Sequence, residues 1–200
     1  ITSSMKLTKI LVVAVLAMLG MAAEAQEQIE VQKFEGEFRV GMNYPLHDIY
    51  LGGKKTIGFG IGAELRYNLP RTGFDFGFTV EYSSNRFKDI PIYAVGVTES
   101  GEKVTTQGTM QANTGMGSLL LLSDYNFRQG HKINPYVGMG FGLSIRGENE
   151  GGPVGVGFKV RGGVEFIHLL RLGLEVNITQ IYHNNVMLTL GIAIGGRPKK

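Results

Sequence analysis

The chain has 200 residues, with 20 Lys and Arg, 17 Asp and Glu, and no cysteine. The lack of cysteine excludes a disulfide scaffold, a zinc–thiolate site, a thiol nucleophile and a lipid-modified N-terminal cysteine. The net charge of +3 comes from basic residues scattered along the chain, so nucleic acid is not expected as a partner. Glycine accounts for 30 residues, about twice its usual share, which predicts a geometric role for it.

The first 25 residues have the three-part layout of a secretory signal peptide. Two lysines precede an apolar run over residues 10–23, and a pattern of small residues suited to cleavage ends at Ala25. The run holds 14 residues, whereas a transmembrane helix needs about 20. Residues 1–25 are therefore predicted to be four upstream residues and a cleaved signal peptide, and residues 26–200 a single exported domain.

Strict alternation of apolar and polar residues continues through most of the remaining chain. Ile57, Phe59 and Ile61, for example, alternate with glycines. This period of two predicts β-strands with one apolar and one polar face. Seven stretches show it clearly: residues 34–46, 56–69, 74–82, 137–145, 154–166, 172–179 and 186–194.

The segment over residues 105–127 is predicted to supply an eighth strand. Its apolar residues change phase, since they are even-numbered up to Met116 and odd-numbered from Leu119. One extra residue in a strand reverses the facing of everything after it. We therefore expect a β-bulge near Gly117.

The distribution of charge indicates which faces point inward. The polar faces carry twelve ionisable residues, and the apolar faces of the seven stretches carry none. A soluble carrier barrel would turn its apolar faces inward, and a soluble sandwich would show the same alternation with its polar face in water. The stretch over residues 56–69, however, holds 14 residues, more than the 9 to 11 or so that a tilted strand needs to cross a bilayer. The polar faces are therefore predicted to line a lumen.

Aromatic residues and connection lengths also favour a membrane protein. Outward aromatic residues gather at two levels, with Phe34, Tyr67, Phe74 and Phe166 at one and Tyr44, Tyr82 and Tyr182 at the other. Such girdles mark the two interfaces of transmembrane barrels, where short periplasmic turns alternate with longer outer loops. Connections here alternate in the same way, as residues 70–72 and 86–104 illustrate. The sequence thus predicts an all-β protein, an eight-stranded antiparallel up-and-down transmembrane β-barrel with both termini in the periplasm.

Two segments carry a resemblance to a known family. They are Leu119-Leu120-Leu121-Leu122 and Ile133-Asn134-Pro135-Tyr136-Val137-Gly138-Met139-Gly140. With the strand count, the facing and the loop rhythm, they make the chain resemble the small outer-membrane β-barrel family of Gram-negative bacteria that contains OmpX and the transmembrane domain of OmpA. The resemblance covers residues 34–195 and implies a location in the bacterial outer membrane, with its lipid and lipopolysaccharide as surroundings. The chain departs from the family in one respect, because its last strand ends in Ile194-Gly195 and not in an aromatic residue.

The charged lumen residues are predicted to form a structural ionic network. Its members are Glu37, Arg39, Glu64, Arg66, Asp75, Glu81, Lys159, Arg161, Glu165 and Glu175, and Glu35 and Arg171 lie on the same faces. An eight-stranded barrel has room to fill its lumen with side chains, so we expect paired charges to plug it. The alternative is an ion or proton path, that is, a narrow porin-like channel.

The connection over residues 86–104 is predicted to be a hairpin that projects beyond the membrane. The residues Ile90, Ile92, Tyr93, Val95 and Val97 lead into turn-forming residues at 98–102. A free strand edge can pair with an incoming chain, and in the resembling family a protruding sheet implies a protein-binding platform. We therefore expect a structural or surface-interaction role, such as adhesion to a protein partner through the extracellular loops. A passive loop shielded by lipopolysaccharide sugars is the alternative for this connection.

Three loop lysines are predicted to contact lipopolysaccharide. Lys54, Lys55 and Lys88 would lie at the level of the lipid phosphates, where their charge favours contact with them. The alternative is that these side chains are simply solvated.

No catalytic, metal or cofactor site is predicted, and the chain is not expected to be an enzyme. The four histidines are His47, His131, His168 and His183. They all fall in predicted loops or turns, none with the outward Ser and carboxylate that a barrel deacylase needs. No cluster has metal-ligand spacing, and the period-two glycines lack the G-x-G-x-x-G spacing of a phosphate loop.

Overall fold

The computed structural model describes residues 29–46, 53–97, 103–147, 152–181 and 183–198. The predicted signal peptide lies outside these residues. The described chain forms nine β-strands: β1 (Phe34–Pro45), β2 (Lys54–Thr56), β3 (Gly58–Asn68), β4 (Phe74–Val97), β5 (Lys103–Asn126), β6 (Ile133–Gly147), β7 (Val154–Phe166), β8 (Leu170–Thr179) and β9 (Asn185–Gly195). Within these described ranges, no helix is long and apolar enough to span a membrane.

The strands close into a ring of eight. β1 pairs with both β3 and β9, and β4 pairs with β5, so the order around the ring is β1-β3-β4-β5-β6-β7-β8-β9. The short β2 precedes β3 by one residue and also pairs with β4, with Thr56 opposite Arg86. β2 therefore continues β3 along the same side of β4, and the ring has eight strand positions. The predicted eight-stranded antiparallel barrel is confirmed.

The apolar faces of the strands point outward. On β1, Phe38 and Val40 are 53% and 49% exposed, while Arg39 between them is 1% exposed. Each of the eight ring strands repeats this pattern over most of the part that forms the barrel wall. A continuous exposed apolar band of this kind suits lipid and is unfavourable in water. It is the reverse of the arrangement in a soluble carrier, whose apolar residues line the cavity.

The predicted bulge near Gly117 is wrong. β5 pairs without interruption over residues 112–125 with β4, and Gly117 lies opposite Tyr82. Met116, Leu120 and Leu122 are buried because they face the lumen, like the polar residues of the same parity. The change of phase arose because the interior was assumed to be uniformly polar, whereas β5 contributes apolar side chains to it.

The one register shift between β4 and β5 lies instead on β4, between Phe87 and Ile90. Asp89, within this shift, has a left-handed φ of 53°. Bulges tighten strand twist and re-aim the strand that follows. The shift separates the part of β4 that belongs to the barrel wall from the part that extends beyond it.

The two ends of the barrel differ. The terminal rim, as we call one end, holds residues 29–33 and 196–198 and the turns over residues 69–73, 127–132 and 167–169. The loop rim, at the other end, holds the connection after β1 and those that follow β4, β6 and β8. The predicted aromatic levels coincide with these rims, with Phe34, Phe74 and Phe166 exposed at the terminal rim and Tyr44 and Tyr82 at the loop rim. Tyr182 lies outside the described residues.

Candidate functional site

The centre of the lumen is organised around Arg39 on β1. Its Nη1 donates to Glu64 Oε2 at 2.5 Å, and its Nη2 donates to Glu81 Oε2 at 2.9 Å. Lys159 on β7 contacts Glu81 as well and donates to Glu175 Oε2 at 2.5 Å. Glu175 Oε1 in turn lies 3.4 Å from Arg39 Nε. Two cations and three carboxylates thus share one buried cluster, which satisfies charges that would be costly to bury alone.

A second cluster lies between this centre and the terminal rim. Arg161 Nη2 donates to Glu64 Oε1 and Asp124 Oδ2, both at 2.6 Å. Arg171 Nη2 donates to Asp124 Oδ2 at 3.1 Å, and Arg66 Nη1 lies 3.5 Å from the same oxygen. Three guanidinium groups therefore contact the Asp124 carboxylate. Glu64 belongs to both clusters, so the ion pairs form one connected network.

Asp124 was not predicted as a network member. It lies on β5, the strand whose facing the sequence left ambiguous. Ser118 and Asp124 are both even-numbered residues of β5 and both face the lumen. Unbroken alternation along this strand would therefore have predicted an inward position for Asp124. Glu35, which pairs with Arg66, and Arg171, which pairs with Glu37 at 3.2 Å, also belong to the network.

Every predicted lumen residue is buried. The clusters bring together eight of the ten, Glu37, Arg39, Glu64, Arg66, Glu81, Lys159, Arg161 and Glu175. The other two lie nearer the terminal rim. Asp75 accepts a hydrogen bond from Asn126 Nδ2 at 2.8 Å, and Glu165 is buried on β7.

Tyr136 fills the lumen beside the second cluster. Arg171 Cζ lies 3.7 Å from the centre of the Tyr136 ring, which is a cation–π distance. A Cβ at Gly163 or Gly173 would lie 2.8 or 2.7 Å from the Tyr136 hydroxyl. The glycines at these two positions therefore make room for a large ring, as the period-two glycine pattern suggested.

Towards the loop rim most buried side chains are uncharged. Asn43 Nδ2 donates to Asn85 Oδ1 at 3.2 Å, and Asn177 Nδ2 donates to Asn185 Oδ1 at 3.0 Å. The apolar side chains Phe87, Met116 and Met187 are buried at the same end. The lumen therefore passes from a charged interior to a cover of amide and apolar groups.

His183 is buried under the loop rim, although the sequence placed it in a loop. Its Nε2 lies 3.5 Å from Ser83 Oγ and its Nδ1 lies 3.4 Å from Thr114 Oγ1. Burial, reinforced by Arg146, lowers the pKa of His183 to about 4, so the ring is neutral at pH 7. Hydroxyl groups, and not a carboxylate, are the side-chain partners of this imidazole among the described residues.

The remaining histidines do not join this group. His131 and His168 lie in turns at the terminal rim. His47 lies outside the described residues. Within those residues, no group of three His, Asp or Glu could hold a metal ion.

The β4–β5 hairpin extends beyond the barrel wall. β2 reaches Lys88 on β4 and β6 reaches Gly115 on β5, but eight further residue pairs join β4 and β5, from Ile90 opposite Met110 to Val97. At about 3.4 Å per residue these pairs extend the hairpin by roughly 25 Å. Both of its edges lack a neighbouring strand within the described residues.

The hairpin exposes apolar side chains on both of its faces. Tyr93 and Val95 are 65% and 66% exposed on one face, and Ile92 is exposed on the other. Ile90 is buried at the base of the hairpin. Val97 lies in the strand. The predicted surface-binding residues thus divide into a buried base and an exposed upper part.

The predicted lipopolysaccharide contacts lie at the base of the same hairpin. Lys54 Nζ lies 3.0 Å from Asp89 Oδ2, and Lys55 Nζ donates to the Leu46 carbonyl at 3.0 Å. Lys88 is exposed and lies opposite Lys54 in the register of β2 and β4. Lys54 and Lys88 thus lie on paired strands, and an acid partly neutralises Lys54.

A family model described as outer membrane protein beta-barrel domain matches residues 12–195. Comparison with curated protein sequences gives no match. Among solved structures, Neisserial surface protein A is similar over 80% of this chain and 96% of its own, at 14% identity and a TM-score of 0.50. At that identity the likeness concerns the fold.

Two further solved structures are similar at lower scores. The outer membrane enzyme PagL matches over 80% of this chain and 98% of its own, at 13% identity and a TM-score of 0.46. Ail, the attachment invasion locus protein of Yersinia pestis, solved with the heparin analogue sucrose octasulfate, matches over 81% and 99%, at 10% identity and a TM-score of 0.38.

Proposed function

The chain belongs to the outer-membrane β-barrel protein family, and we propose that it acts at the bacterial surface as a non-enzymatic binding protein with a closed lumen. The observation that carries the proposal is the β4–β5 hairpin, whose two edges have no neighbouring strand among the described residues and which exposes apolar side chains outside the barrel wall. Free edges recruit extended chains by β-addition, with side chains adding specificity. The partner is therefore a protein segment that can adopt an extended conformation.

The hairpin can be removed without touching the barrel wall. Residues 91–109 are replaced by Asn-Gly, which joins Ile90 to Met110 across a two-residue turn. Peptides are selected from a displayed random library against the reconstituted protein, and their binding to the shortened variant is measured. We expect binding to be lost. Retention of binding by the shortened variant excludes the hairpin as the site.

A second variant separates the two modes of recognition. Ile92→Thr, Tyr93→Thr and Val95→Thr together keep strand propensity and the free edges but remove the apolar side chains. If main-chain pairing supplies most of the affinity, the triple variant weakens binding less than the deletion does. Equal loss in both variants assigns recognition to the side chains.

The closed lumen is supported by ion pairs that cross it. Arg161 on β7 and Glu64 on β3 belong to strands on opposite sides of the ring. An eight-stranded barrel has little interior beyond the volume of its side chains. Purified protein in a planar bilayer is therefore expected to show no conductance steps. Reproducible steps would instead support the narrow channel.

We further propose that the protein is exported and lies in the outer membrane with its terminal rim in the periplasm. The signal-like layout of residues 1–25 supports cleavage before Gln26. The short turns at the terminal rim match the periplasmic turns of membrane barrels. Lys54, Lys55 and Lys88 would then face lipopolysaccharide phosphates. N-terminal sequencing of the mature protein tests the cleavage, and protease accessibility of the hairpin on whole cells tests the orientation.

A further inference from the structure

The terminal rim carries cations in two of its three turns, over residues 69–73 and 127–132, and beside both ends of the described chain. These residues, which we call the basic rim, are Lys33, Arg71, Arg128, Lys132 and Arg197, and all are exposed. The one acid in the described segments of this rim is Glu30. We propose that the basic rim binds the headgroups of anionic phospholipids in the leaflet around it. The inference rests on the membrane insertion assumed in the proposed function.

The segments that carry the basic rim are joined to one another through the main chain. Four main-chain hydrogen bonds join its segments: Asn68 N to Lys33 O at 2.7 Å, Asn126 N to Gly73 O at 2.7 Å, Ile167 N to Lys132 O at 2.6 Å, and Gln32 N to Arg197 O at 2.9 Å. The cations are therefore spread along the rim from Arg197 and Lys33 through Arg71 to Arg128 and Lys132, and only the turn over residues 167–169 carries none. Cations spread along a rim at a membrane surface meet lipids in several directions, which distinguishes them from a pocket for one ligand.

The basic rim lies at the depth where lipid headgroups begin. Lys33 is followed directly by Phe34, which is 63% exposed, and Lys132 is followed by the exposed Ile133. The Phe34 ring lies 5.4 Å from the Tyr67 ring at this end of the barrel. Aromatic side chains mark the membrane interface, and long basic side chains reach outward from it to phosphate groups. The apolar band and the cations thus adjoin, as headgroup binding requires.

A local quenching measurement tests the proposal. Since the chain has no cysteine, a single Ile133→Cys substitution places one fluorophore beside the basic rim. The labelled protein is reconstituted in phosphatidylcholine vesicles that contain a minor fraction of nitroxide-labelled phosphatidylglycerol or nitroxide-labelled phosphatidylcholine. At low salt we expect stronger quenching by phosphatidylglycerol, with a preference that declines as salt shortens the range of the charges. Equal quenching by the two lipids overturns the proposal.

Matched variants assign the preference to the basic rim. The first set combines four substitutions in the basic rim, Lys33→Gln, Arg71→Gln, Arg128→Gln and Lys132→Gln. We expect this set to bring the ratio of quenching by phosphatidylglycerol to quenching by phosphatidylcholine at residue 133 to about one. The control set removes four charges from the loop rim, Lys54→Gln, Lys55→Gln, Arg86→Gln and Lys88→Gln, and is expected to leave that ratio unchanged. Equal losses in both sets would show an effect of net charge alone and overturn the proposal.

Two further outcomes would contradict the binding of anionic phospholipids by the basic rim. If the preference survives the terminal-rim substitutions, the binding lies elsewhere. If the protein sediments with peptidoglycan through the basic rim while showing no lipid preference, the partner is the cell wall. A protein that fails to insert into the vesicles contradicts the proposed function instead, so the two failures are distinguishable.

Discussion

Arg161 on β7 and Glu64 on β3 meet across the full width of the barrel, with both terminal nitrogens of the guanidinium 2.6 Å from the two carboxylate oxygens. Their strands are four places apart in a ring of eight. Two-point pairing of this kind is among the strongest side-chain interactions in proteins. The interaction therefore ties opposite walls of the barrel together in addition to the hydrogen bonds between neighbouring strands.

Removing the charge of Glu64 should destabilise the barrel strongly. Glu64→Gln keeps the shape of the side chain but leaves Arg161 and Arg39 without a shared carboxylate. Breaking a buried ion pair from one side costs about 3 to 5 kcal/mol. Urea unfolding in lipid vesicles measures the change. The exposed Asp89→Asn is the control and should change the free energy of unfolding by less than about 1 kcal/mol.

The glycines beside Tyr136 should not tolerate a side chain. In Gly173→Ala the new Cβ would lie 2.7 Å from the Tyr136 hydroxyl and 2.8 Å from Thr189 Oγ1. Overpacking of this kind costs about 1 to 3 kcal/mol. Gly117→Ala is the control, because its Cβ would meet nothing within 4 Å. Equal free energies of unfolding for the two variants would contradict the role of Gly173 in packing.

The buried His183 should make the barrel less stable as the pH falls. Its pKa is about 4 in the folded protein, below the ordinary value of 6.5. Between these values the unfolded chain binds the extra proton, so the free energy of unfolding falls as pH decreases from about 6.5 to 4 and levels off below. Each unit of pKa difference corresponds to about 1.4 kcal/mol.

The variant His183→Gln isolates this contribution. It keeps groups able to bond Ser83 and Thr114 but cannot titrate. The difference in unfolding free energy between this variant and the unsubstituted protein should vary with pH between 4 and 6.5. A pH-independent difference for His183→Gln contradicts the prediction.

The sequence was most informative where side-chain alternation alone decides facing. On β1 and β3 a period of two suffices to place Arg39 and Glu64 inside, because each strand has one lipid face and one lumen face. Alternation is weaker on β5, where Leu120 and Leu122 face the lumen together with Asp124. On this strand an apolar residue can face either the lipid or the lumen. Asp124 was therefore not predicted as a lumen residue, and a bulge was predicted where none exists.

Pairing across the lumen could not be predicted from the pattern. Which cation meets which carboxylate depends on the stagger between strands around the ring, and no single strand records that stagger. The burial of His183 could not be predicted from the sequence for a related reason. Its surroundings, Ser83 and Thr114, come from strands far away in the sequence.

This chain folds as a barrel whose apolar outer face is suited to the lipid of the outer membrane. The most direct test is electrophoresis of the outer-membrane fraction in SDS, with unheated and boiled samples compared. A closed barrel with an ion-paired interior should resist SDS when cold, so the unheated band should migrate differently from the boiled one, and the protein should stay in the membrane after a carbonate wash. Identical migration of the two bands, together with release by carbonate, would contradict the account.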